Sequence, residues 1–170
     1  KKDSGTKTNV AAGNASLAGA VYAITYKENG VDKTVQKTTN SSGILYFTNV
    51  PLGEIKIQEI SAPVGYKLDS TVHTYNVTSD KVTSAVYEME PEDFTEDVFK
   101  GKISLTKQIE MLGADAQLEQ GAEYQVYLKS AGSYANAKDT ERDYLVTGAD
   151  GKATTKDLPY GTYTPVSYTH

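Results

Sequence analysis

Leu17-Ala-Gly-Ala-Val-Tyr22, followed by Ser42-Gly43 and Val50-Pro51-Leu52-Gly53, is written a second time as Leu118-Glu-Gln-Gly-Ala-Glu-Tyr124, Asp150-Gly151 and Leu158-Pro159-Tyr160-Gly161. In each copy the two later glycines stand ten residues apart. Glycines at matched spacing mark matched backbone turns, so the chain reads as two copies of one β-rich module. Its 170 residues then divide into two units, each of roughly 80–100 residues and only marginally able to bury a sufficient core.

Working outward from the first copy, Ala20 to Tyr26 alternates as a strand, with Tyr22, Ile24 and Tyr26 on one side and Val21 and Ala23 on the other. Glu28-Asn-Gly-Val31 is a hairpin signal, because Asn-Gly tolerates the positive φ of a tight turn. Lys33–Thr38 returns as a strand and Ile44–Phe47 reads as another. Glu54–Glu59 turns Ile55, Ile57 and Glu59 to one face, and Val72–Val77 and Val82–Met89 complete the first unit. Strands at this spacing with no helical stripe predict a β-sandwich. The acidic stretch 92–98 predicts a solvated linker, dividing the chain into 1–91 and 99–170. In the second copy Ile103, Leu105 and Lys107 share a face, and extra residues around Ala131–Asp143 predict a surface loop.

Composition removes several function classes. Cysteine is absent, so neither a disulfide nor a thiolate metal site can staple the units. Two histidines, His73 and His170, are too few for a His-rich metal centre and have no nucleophile motif beside them. No metal, cofactor or enzymatic activity is expected. A net charge of −5 disfavours nucleic acid and anionic membranes as partners, and no apolar run approaches the ~20 residues of a membrane span.

Glu59-Ile-Ser-Ala-Pro-Val-Gly-Tyr66 resembles E-T-x-A-P-x-G-Y, the signature of the collagen-adhesin B-type (CnaB-like, SpaA-type) domains. These are immunoglobulin-like repeats of Gram-positive pilins and surface adhesins. The resemblance extends through Leu17–Tyr22 (L-A-G-A-x-F/Y), the Gly43 turn and Val50–Gly53, and Ile103-Ser-Leu-Thr-Lys107 looks like the family's first strand, V-x-L-x-K. It implies an all-β chain of two tandem antiparallel immunoglobulin-like sandwiches.

In that family a first-strand lysine joins a last-strand Asn or Asp through a spontaneous amide, assisted by a buried Glu. Carried onto this chain, Lys1, in Lys1-Lys2-Asp3, stands where the reactive lysine belongs, and Glu59 where the assisting acid belongs. An exposed lysine and an edge-strand surface glutamate are the plain alternatives. No Asn or Asp occurs in Val82–Pro91 to act as acceptor. In the second unit Lys107 takes the lysine position, but Ser167 replaces the glutamate and no closing strand follows. Lys107 is therefore expected to stay unlinked within 108–170, beside a sheet edge open to strand addition from missing residues or a neighbouring chain.

The resemblance implies a structural stalk module of an extracellular, cell-wall-anchored or pilus protein, anchored through segments outside this chain. Its partners would be neighbouring repeats or pilin subunits, with a host ligand bound by other domains. The alternative is a ligand-binding module, in which tyrosines or the insertion around Tyr134 contact carbohydrate or matrix protein.

Overall fold

The computed structural model describes residues 1–79, 94–110 and 115–168. Chain contacts divide into two compact units, Lys1–Ala11 with Ala15–Val98, and Ala12–Asn14 with Phe99–His170. The expected strand Val82–Met89 lies outside the described residues.

In unit 1, β1 (Lys2–Asp3) is followed by β2 (Val21–Glu28), β3 (Val31–Thr38), β4 (Gly53–Ser61), β5 (Val72–Val77) and β6 (Thr95–Glu96). The middle four form one antiparallel sheet in the order β3-β2-β4-β5. Its inner face carries Tyr22, Ile24 and Tyr26 from β2 with Ile55 and Ile57 from β4, all buried. This is the face the period-2 alternation selects. Ile44–Phe47 keeps its alternation, with Leu45 and Phe47 against the core, yet it forms no strand. Alternation records which side chains face inward, whereas a strand also needs a ladder partner, and among the described residues this segment has none.

Unit 2 contains β7 (Lys100–Gly101), β8 (Ser104–Thr106), β9 (Gln108–Ile109), β10 (Gln117–Leu118), β11 (Glu123–Leu128), β12 (Arg142–Val146), β13 (Lys152–Thr154), β14 (Leu158–Pro159) and β15 (Tyr163–Ser167). Its largest sheet runs β12-β11-β15, around a core of Val126, Leu145 and Leu158. Among the described residues β15 pairs only with β11. The insertion is more than a surface loop. It forms two 3₁₀ turns, Lys129–Ala131 and Asp139–Glu141, and buries Ala137 and Glu141. The Arg142 guanidinium stacks over the Tyr134 ring, 4.9 Å from its centroid, and donates to the Tyr134 carbonyl at 2.8 Å.

Inside each unit the repeated residues do the same work. The Lys1 main-chain nitrogen donates to Gly43 O at 2.9 Å, and Lys107 N–H to Gly151 O at 2.8 Å. Gly43 and Gly151 have φ of +72° and +65°, and a Cβ on either would meet backbone or side-chain atoms of these neighbours. The second glycine pair differs: Gly53 has φ +124°, whereas Gly161 is needed for space, a Cβ there falling 2.6 Å from Leu128 Cδ1.

A pair of buried threonines escaped the sequence reading. Thr39 Oγ1 donates to Leu17 O (2.7 Å) and accepts from Ala20 N–H (3.0 Å). Thr147 Oγ1 donates to Glu119 O (2.7 Å) and accepts from Ala122 N–H (2.9 Å). Each hydroxyl closes the turn that leads into the central strand, and each lies four residues before its turn glycine. The recurring T-x-x-x-G spacing was the available signal. Thr147→Val, nearly isosteric, should cost about 2–3 kcal/mol by stranding both backbone groups; a denaturation midpoint unchanged from the parent would contradict this role.

Candidate functional site

The chemistry-bearing residues of unit 1 meet where β1 lies beside β6. These two strands pair in parallel, Lys2 with Thr95 and Asp3 with Glu96, fastened by Lys2 N–H to Phe94 O and Ser4 N–H to Glu96 O, both 2.9 Å. Glu59 comes from the central strand β4, opposite Tyr22 of β2. Beyond that pair the register slips by one residue, Val21 facing Ser61, so a bulge sits next to Glu59.

Lys1 Nζ lies 2.5 Å from Glu59 Oε1 and also contacts Glu96 Oε1; all three side chains are only 1% exposed. The Tyr22 ring faces the ammonium, its centroid 5.0 Å away. Phe94 covers the site, packing on Tyr22 at 5.6 Å and edge-on to His73 at 4.8 Å. Glu59 Oε2 accepts Asp69 N–H at 3.1 Å, whereas Glu96 Oε2 has no hydrogen-bond partner among the described residues.

Burial raises the Glu96 carboxyl above the usual carboxylate range; the hydrogen bond and charge of Lys1 oppose this, and Glu59 and Asp69 add to it. The Tyr22 hydroxyl is pushed far up, first by burial and then by Glu59, Glu96 and Asp69, so it stays neutral. Asp69, at the rim, is lowered mainly by hydrogen bonds from Thr71. A dry ammonium between two carboxylates is costly to hold as ions. Condensation to an amide would remove one charge of each sign.

A second buried cluster holds β1 in place. Asp3 is 0% exposed; its Oδ2 accepts the Tyr66 hydroxyl at 2.7 Å and its Oδ1 accepts Gly5 and Thr6 N–H at 2.8 and 2.9 Å. Tyr66 gets there through the turn Ala62-Pro63-Val64-Gly65, where Gly65 has φ +87° and Tyr66 N–H returns to Pro63 O at 3.2 Å. Tyr66 also bridges Val98, and Lys67 N–H donates to Asp97 O at 2.9 Å. The A-P-x-G-Y turn thus ties the first strand and the 94–98 segment to β4.

A family model described as SpaA, a prealbumin-like fold domain, matches residues 4–91, half of the chain. The chain belongs to this family. The Trypsin-resistant surface T6 protein of Streptococcus pyogenes serotype M6 is 37% identical over 70 residues, 41% of this chain and 12% of that protein. A solved structure, the Bacillus anthracis TIE protein, superposes with a TM-score of 0.58 at 28% identity, covering 91% of this chain and 25% of its own. The chain therefore spans a minor part of either relative.

Lys1 and Glu96 flank the stretch matched by the SpaA model. Glu96 was missed because the acidic run around it reads as linker. The structure corrects this for 94–98: Phe94, Glu96 and Val98 turn inward and Thr95 and Asp97 outward, a period-2 pattern inside the charge run. Lys107 corrects a second expectation. It does not enter the core; its side chain is 39% exposed, with Nζ 3.7 Å from Glu119 Oε2. Ser167 pairs with Tyr124 as Glu59 pairs with Tyr22, but it is exposed and carries no charge. Without a carboxylate at that position a buried ammonium has no counterion, and water solvates it better.

Proposed function

We propose that the chain is a load-bearing module of a Gram-positive pilus or surface protein, built of two SpaA-type sandwiches in tandem and locked in unit 1 by a spontaneous amide from Lys1 to an acidic partner. Its place would be extracellular, in a pilus or on the cell wall through other segments, with neighbouring repeats or subunits as partners. The observation that carries this reading is the Lys1 amine, 1% exposed, held between carboxylates of β4 and β6. The printed name of the T6 relative, a trypsin-resistant surface protein, is in keeping with it, because a domain with its terminal strands tied opens less often to protease.

Single-molecule pulling on the chain tests the reading. Tension on a cross-linked unit 1 passes through the amide, so the segment it encloses should not extend. Release of about 300 Å from that segment, the contour of some 90 residues, would overturn it. Lys107, half-exposed, is expected to remain a free amine, so the whole chain should show one condensation and not two.

A ligand-binding role rests on a different observation. Tyr144 and Tyr168 stack edge to face at 6.0 Å beside Val146 and Val166, all exposed on unit 2. Carbohydrate or matrix-protein binding that Tyr144→Ala abolishes would favour that reading.

A further inference from the structure

We propose that Glu96 is the acceptor, so that the link is a lysine–glutamate amide formed with loss of water, while Glu59 carries the protons. This inference rests on the cross-linking reading above and supplies its second partner. The family resemblance leads to an Asn or Asp at this position, and the residue that meets Lys1 from β6 is a glutamate.

Lys1 Nζ touches one oxygen of each carboxyl, and the other oxygens separate their roles. Glu59 has both engaged, Oε1 by Lys1 and Oε2 by the Asp69 backbone N–H. It sits on the central strand and is held as a fixed base. Glu96 Oε2 is buried with no hydrogen-bond partner among the described residues, so it is less firmly held than either oxygen of Glu59. Burial also favours the neutral acid form of Glu96, which an amine attacks far more readily than a carboxylate. Phe94 and Tyr22 keep bulk water from competing.

The step balances without any co-reactant. Glu59 takes one proton from the Lys1 ammonium and passes it to a Glu96 oxygen. The neutral amine attacks Glu96 Cδ, forming the C–N bond. Glu59 then removes a proton from that nitrogen and delivers it to the Glu96 hydroxyl, whose C–O bond breaks as water leaves. Lys1 –NH₃⁺ and Glu96 –COO⁻ become –NH–CO– and H₂O, and Glu59 ends as it began.

Intact mass and fragment mapping of the full chain test this. The chain should be lighter than its sequence mass by one water, with Lys1 joined to Glu96 in the digest. The E96Q variant should lose ammonia in place of water, since its acceptor is a carboxamide. Loss of one water with the link mapped to Glu59 or any other carboxyl would overturn the Glu96 assignment and leave cross-linking standing, as would persistent water loss in E96Q. An unshifted mass for the parent chain would overturn both. The parent mapping needs no variant to fold.

Discussion

Lys1→Ala should lower the melting temperature of unit 1 by about 20 °C, the largest effect expected of any single substitution in the chain. Closing a loop of some 90 residues removes about 4–5 kcal/mol of chain entropy from the unfolded state, on the model used for disulfides. In a domain of this size each kcal/mol moves the midpoint by about 4–8 °C. The substitution also leaves Glu59 and Glu96 facing each other without the ammonium that separates them, a second loss in the same direction. Calorimetry should show unit 1 melting early while unit 2 is unchanged. The internal control is Lys107→Ala: that side chain is 39% exposed, its Nζ 3.7 Å from Glu119 Oε2, and such surface pairs contribute little. Equal effects of the two substitutions would contradict the cross-link.

Asp3→Ala is expected to be the next most damaging change, at about 3–5 kcal/mol. It removes the acceptor of the buried Tyr66 hydroxyl and of two backbone N–H groups, and each stranded donor costs about 1–3 kcal/mol. The loss reaches further than the cluster, since Asp3 and Tyr66 hold the strand that presents Lys1. Asp3→Ala should therefore also reduce the fraction of chain that loses mass, even where the protein still folds. Tyr66→Phe keeps the ring packed and removes one hydrogen bond, so it should cost about 1–2 kcal/mol by chemical denaturation. An Asp3→Ala protein with parental stability and a full mass shift would refute the positioning role.

Local sequence determined much of this protein. The alternation of Tyr22, Ile24 and Tyr26 against Ile55, Ile57 and Glu59 states which face of the main sheet is buried, because side chains of a strand alternate whatever lies next to it. The turn glycines and the Ala62–Tyr66 motif mark where the chain bends, because positive φ is a local demand. Tertiary structure alone decided which strands become neighbours. Glu96 lies in an acidic run that looks solvated, and it enters the core only because β6 comes to lie parallel to β1 from the far end of the unit. Ile44–Phe47 alternates as well as any strand yet has no ladder partner among the described residues. Lys107 shares its strand pattern with the partly buried Ile103 and Leu105 and still faces water, since the position that would supply its counterion carries Ser167, itself exposed. Periodicity reports how one segment is oriented; whether a charge can be buried depends on what a distant segment brings to meet it.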